Sequence, residues 1–229
     1  MIFGLLHKGS GLGNQLHRYV GTKIIAMEKG EPHSMIAPEL FKGKDFMKLD
    51  IEPNDIKYTI NEPSGEVVPE SYEGVLDQEF QGEADFIRHL DKVREWLKTP
   101  SFDMADDLCI INFRGGEYKY VPDLYLPQEY WDRAIAQMRE INPAMRFEVH
   151  TDDPVEARKF FEFPIVSGMP WNWQSIRYAK YLILSNSSFA ILPALMGDAK
   201  EIIAPKFWAG YNKGYWQRED NQYARFTYI

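Results

Sequence analysis

One cysteine in the whole chain excludes a disulfide framework, and Cys109 lies within the apolar run Leu108–Ile111, the setting of a buried thiol rather than a reactive one. No run of about 18 apolar residues occurs, so a membrane-spanning helix is not expected. The apolar run Met1–Leu6 is too short for a signal peptide, and the chain reads as a cytoplasmic protein without a membrane anchor. Positive charge is also scarce. With 26 Lys and Arg against 34 Asp and Glu, the net charge of -8 is the wrong balance for a protein that grips nucleic acid through its phosphates. An anionic ligand must therefore meet basic groups placed locally. His7, His17, His33 and His89 show no metal-ligand spacing and read as packing or surface residues. There is no internal repeat, low-complexity tract or block of like charge. What is present is a globular composition, 45% hydrophobic and 14% aromatic over 229 residues, enough for one large domain or two small ones.

Hydrophobic spacing organises the chain. The run Ile2–Leu6, the three glycines between His7 and Gly13, and apolar positions Leu16, Tyr19, Val20, Ile24 and Met27 predict strand, turn and helix. Prolines at 32, 38, 53, 63 and 69 break the next fifty residues into short strands and loops. Residues 83–98 return to helical spacing, with Pro100 just beyond. From Asp107 onward, strands are expected at Leu108–Phe113, Arg146–His150, Pro164–Val166, Tyr181–Leu184 and Glu201–Ala204. Helices are expected at Pro127–Glu140, Pro154–Phe161, Asn172–Lys180 and Ser187–Met196. That alternation predicts an α/β protein with a parallel, doubly wound sheet. The expected division is 1–105 for a first α/β unit and 106–229 for a second Rossmann-type unit.

In an open parallel sheet, ligands bind outside the carboxyl ends of the strands. The residues expected there are Arg114, Gly115, Gly116 and Glu117 after the first strand of the second unit, His150, Thr151, Asp152 and Asp153 at the next, and Ser185, Asn186, Ser187 and Ser188 further on. The first unit adds Gly9, Gly11 and Gly13, followed by the neutral amides Asn14 and Gln15. A hydroxyl-rich helix start offers backbone N–H groups to a phosphate, or else Ser185 or Asn186 caps the helix. Arg114 between apolar strand and glycines matches phosphate oxygens, or serves as an ion-pair partner. Asp152 and Asp153 can hold ribose or base, ligate a metal, or begin a helix before Pro154. His150 is placed to touch a nucleotide. Trp171 and Trp173 can stack on a base or sugar, or pack in the core. The glycine spacing is not that of a dinucleotide-dependent oxidoreductase.

Four segments carry a family resemblance. GSGLGNQLHRYV at 9–20 is similar to the GGLGNQ opening of the alpha-1,2-fucosyltransferases and their O-fucosyl and alpha-1,6 relatives. INFRGGEY at 111–118 resembles the HxRRGDY segment, and VHTDDP at 149–154 the FSDD segment. LSNSSFAILPAL at 184–195 with IIAPKFW at 202–208 resembles SNSSFSWWAA and its VIAPxxW sequel. The resemblance implies an inverting, metal-independent fucosyl transfer from GDP-fucose to a glycan hydroxyl, on a GT-B scaffold with the donor in the cleft between two Rossmann-type units. No cofactor beyond the donor is implied. It places the phosphate-binding arginine at Arg114, the nucleotide-binding acid at Asp152 or Asp153, the hydroxyl turn at Ser187 and Ser188, and a donor-side amide at Asn14. Asn112 and Phe189 fall within the same donor-binding segments. The family's histidine is Asn112 here, its second arginine Gly115, its aspartate Glu117, and its two tryptophans Ile191 and Leu192.

The mechanism expected is attack of the acceptor hydroxyl on the anomeric carbon. Arg114 and the turn at Ser187–Ser188 meet the departing diphosphate, and Glu117, or behind it His7, takes the proton. Two alternatives stay open: a transferase with a metal at Asp152 and Asp153, and a nucleotide-sugar binding module without transfer.

Overall fold

The strand and helix alternation after Asp107 resolves, in a computed structural model describing residues 1–101 and 103–229, into a six-stranded sheet whose neighbouring strands all run parallel. Two units are distinguished, Met1–Thr99 and Pro100–Ile229.

In the second unit the strands are β6 (Leu108–Phe113), β7 (Arg146–Thr151), β8 (Ile165–Ser167), β9 (Tyr181–Ile183), β10 (Glu201–Ala204) and β11 (Thr227–Tyr228). Their spatial order is β8-β7-β6-β9-β10-β11, so the chain winds outward from β6 in one direction and then returns to wind outward from β9 in the other. That is the doubly wound order, and its switch point lies between β6 and β9. Right-handed crossovers then put α4 (Gln128–Ile141) and α5 (Pro154–Ala157) on one face and α6 (Met169–Tyr178) and α7 (Ser188–Met196) on the other. Side chains alternate to match. Cys109, Ile111 and Phe113 of β6 join Phe147 and Val149 of β7 in a core with Tyr130, Trp131, Ala134 and Met138 of α4. Helix α7 is buried from Ala190 to Met196, which its nearly unbroken apolar sequence requires.

Where the strand and helix ends differ from expectation, aromatics or glycine decide. Helix α5 ends at Ala157 rather than Phe161, because Phe160 and Phe161 turn inward against Phe113, with ring centroids 5.1 and 5.6 Å away. Helix α6 starts three residues early, launched by Gly168 at φ 139° with a proline in its first turn. Strand β11 carries no sequence pattern of its own at two residues.

The first unit has a parallel sheet in the order β2 (His33–Ile36), β1 (Ile2–Leu5), β5 (Val75–Leu76), with α1 (Leu12–Lys29) crossing from β1 to β2. A separate antiparallel hairpin joins β3 (Tyr58–Asn61) to β4 (Glu66–Pro69). The helix expected over 83–98 is broken into α2 (Glu83–Phe86), a 3-10 turn at Ile87–His89, and α3 (Leu90–Trp96). The break falls at Phe86, whose ring is held 5.6 Å from His17 of α1 and whose φ of -141° is not helical.

Candidate functional site

The switch point of the second unit brings together several of the expected residues. Ser185, just past β9, donates from Oγ to Asn112 Oδ1 of β6 at 3.0 Å, a buried bond that ties the two strands flanking the switch. Asn186 bridges two other loops: its Nδ2 donates to the Leu124 carbonyl at 3.2 Å, and its Oδ1 accepts from Ala209 N at 2.9 Å. Neither residue caps α7. The N-cap is Ser187, whose side chain makes no capping bond, so the helix begins at Ser188 without side-chain closure. Phe189, half-buried in the first turn, sits edge-on to Trp173 at 5.7 Å.

Arg114 follows β6 and is engaged from both ends of its fork. Nη1 donates to Asp152 Oδ2 and Nη2 to Glu117 Oε1, and the guanidinium lies 5.4 Å from the centre of the Tyr118 ring. The ion-pair reading of Arg114 is thus realised. Asp152 also accepts from Gly115 N at 3.0 Å. Burial pushes its carboxyl above the ordinary range, against the pull of Arg114 and the Gly115 amide. Asp153 is different. It accepts from Lys119 Nζ at 2.7 Å and from Glu156 N at 3.0 Å, the cap of α5, and the lysine holds its carboxyl below the ordinary range. The two glycines have a steric cause. A Cβ on Gly115 would lie 2.8 Å from Asp153 Cβ, and one on Gly116 would lie 2.2 Å from Asp152 Oδ2. No larger residue, a second arginine included, fits at Gly115 without moving the acidic pair.

Two expectations are corrected. His150 is 2% exposed and bonds Glu148 through Nε2 at 2.7 Å. It is turned into the sheet on the α6 face, where burial lowers its pKa against the pull of Glu148. Thr151 is buried as well, its Oγ1 accepting from Asp153 N at 3.0 Å. Trp173 is fully buried, whereas Trp171, two residues earlier, is 60% exposed.

In the first unit, Gln15 is the second correction. It is fully buried, donating to the carbonyls of His7 and Leu40 at 3.3 and 2.9 Å and accepting from Lys42 N at 2.9 Å. Its amide ties the loop after β1 to the segment around Leu40 and Lys42 and presents nothing outward. Asn14 is half-buried, donating to Glu79 Oε1 at 3.4 Å and accepting from Gln81 Nε2 at 3.1 Å. Gly9 is required because a Cβ would meet Ser64 O at 2.3 Å, while Gly11, the N-cap of α1, faces open space and Gly13 is buried in the first turn.

At the carboxyl ends of β1 and β5, His7 meets two residues the sequence did not single out, Arg18 and Asp77. His7 Nδ1 accepts from Val67 N at 2.9 Å, so its proton is on Nε2, which donates to Asp77 Oδ1 at 3.2 Å. The buried Arg18 donates to the same oxygen. Burial would raise the Asp77 carboxyl, but the bonds from Arg18 and His7 outweigh it and hold the group below the ordinary range. Both ring nitrogens of His7 are engaged in these bonds. Asp77 follows a two-residue strand, too short to show a period, which is why sequence alone did not flag it.

No family model matches the chain, and no curated protein matches it. Among solved structures, the chain is similar to the E. coli heptosyltransferase WaaC with ADP at 13% identity, over 99% of this chain and 93% of that one, with a TM-score of 0.45. No helix among the described residues is long and apolar enough to cross a membrane.

Proposed function

We propose that the chain is a glycosyltransferase that binds a nucleotide-diphosphate sugar at the β6/β9 switch point of its second unit and transfers the sugar to a hydroxyl, with GDP-fucose as the donor and inversion at the anomeric carbon. The observation that carries this reading is the convergence, at one switch point, of Arg114 from β6 and the uncapped start of α7 from β9, on strands tied by the Ser185–Asn112 bond. The ordered likeness of four segments to the fucosyltransferases supplies the donor identity.

The chemistry follows from an exchange of partners. Diphosphate oxygens take the place of Asp152 and Glu117 on the Arg114 fork, and the helix start shares the charge that develops on the leaving group. Glu117, 64% exposed as a side chain, is thereby released beside the reacting centre with a carboxylate able to take the acceptor's proton. The acceptor oxygen bonds to the anomeric carbon as the carbon–phosphate oxygen bond breaks, and the nucleoside diphosphate leaves with the electron pair.

Calorimetry with GDP, UDP, ADP and NAD, each with and without magnesium, tests the reading. Preference for GDP without a metal requirement is expected, and failure to bind any of the four defeats it. Arg114→Ala should lower transfer at least 100-fold, about 3 kcal/mol of lost leaving-group stabilisation. A rate within threefold of the parent removes Arg114 from the mechanism.

A further inference from the structure

Of the six tryptophans, only Trp171 stands among the exposed large hydrophobic residues, at 60% exposure, while Trp131, Trp173 and Trp208 are buried. Leaving that much of an indole outside the core forgoes burial worth roughly 2 kcal/mol or more.

Trp171 sits in the first turn of α6, which leaves the carboxyl end of β8 through Gly168. Three contacts fix that turn. A Cβ on Gly168 would lie 3.5 Å from Trp171 Cδ1, so the indole edge lies beside the glycine's missing side chain. The next residue, Asn172, donates from Nδ2 to the Thr151 carbonyl at 3.0 Å, tying the turn to the end of β7 beside Asp152. Trp173 packs edge-on to Phe189, which joins the first turn of α6 to the first turn of α7. The ring is thus seated on a braced turn, at the same strand edge as Arg114 and the α7 start.

The spacing is that of a nucleotide. Adjacent strands lie about 4.8 Å apart, so β8 stands roughly 10 Å from β6 along the sheet. A nucleoside diphosphate with its phosphates at the switch point and its base lying along the strand edge toward β7 and β8 would span that distance. Met169 and Val155, in the first turns of α6 and α5, are also exposed, so apolar surface begins each helix that follows β7 and β8.

We propose that Trp171 is the stacking platform for the donor's purine base. The assignment rests on the nucleotide-sugar reading above and gives it a residue that fixes where the base lies. Stacking supplies affinity without selecting hydrogen-bond patterns, because every base presents a π-face and the larger purine covers more of the ring.

The test is calorimetry on the full chain with GDP and with inorganic pyrophosphate as probes, for the parent, Trp171→Ala and Trp171→Phe. Trp171→Ala is expected to weaken GDP between about fivefold and 100-fold, the range that base–aromatic stacking spans, and to leave pyrophosphate within twofold. Trp171→Phe should retain most of the GDP affinity. GDP should also quench indole fluorescence in the parent and much less in Trp171→Phe. Unchanged GDP affinity in Trp171→Ala overturns the platform while leaving the donor-site reading intact. An equal fall for pyrophosphate also overturns it, because the loss is then not of stacking. A parent chain that binds neither probe defeats the donor-site reading itself, and the platform with it.

Discussion

At the residue scale, Asp152 is the most informative side chain of the second unit. Burial already raises its pKa while it accepts from Arg114 and the Gly115 amide. If a diphosphate takes Arg114 away, the remaining pull toward ionisation weakens and Asp152 binds a proton more readily. Ligand binding is then coupled to proton uptake, and affinity for GDP strengthens as pH falls toward the titration of Asp152. Calorimetry of GDP in two buffers of different ionisation enthalpy should show net uptake. Release, or no linkage at all, would mean that Asp152 keeps its arginine in the complex. Much of this residue's neighbourhood was legible in the sequence: an arginine and an acidic pair just past two adjacent strands follow from the strand ends alone. Its pairings were not. Asp152 lies 38 residues from Arg114, and the steric demand that makes both 115 and 116 glycine is set by side chains that arrive from the next strand.

Among the elements, α7 depends on what surrounds its start. Asn186 is 2% exposed and bridges Leu124 O and Ala209 N, joining the loop after β6 to the loop after β10. That second loop is strained, with Phe207 and Ala209 both at positive φ, 65° and 55°. Asn186→Ala strands a donor and an acceptor, which should cost roughly 1–3 kcal/mol for each group left unsatisfied and loosen the loop. Urea denaturation reads the first effect as a lower midpoint at unchanged slope. A midpoint equal to the parent's would show that water replaces the amide at both ends. Patterns of spacing found strands β6 and β10 at their observed limits, because β6 is a largely buried run between Asp107 and Arg114 and β10 is one that Pro205 ends. They failed for α2 and α3, where the apolar residues at 86, 87, 90, 93 and 97 fit one helical face, yet Phe86 is pinned to His17 and Ile87 is left exposed.

For the whole molecule, each unit holds its own hydrophobic centre: Leu5, Ile36, Ala37 and Val67 in the first, and the cluster running from Cys109 to Ile203 in the second. Arg114, the acidic pair, the α7 start and Trp171 all lie in the second. A fragment of residues 100–229 should therefore fold with a cooperative thermal transition and bind GDP within about tenfold of the full chain, one decade being 1.4 kcal/mol. Calorimetry on the fragment, beside its circular dichroism melt, decides this. A folded fragment that binds nothing would assign essential donor contacts to residues 1–99. The same centre carries a reporter. Cys109 is fully buried on β6, with β7 pairing on one side and β9 on the other, and burial holds its thiol strongly protonated. A thiol reagent can reach it only when the middle of that sheet comes apart. Since the chain has a single sulfhydryl, every modified molecule records one such opening, and the labelling rate becomes a clock for the lifetime of the closed sheet.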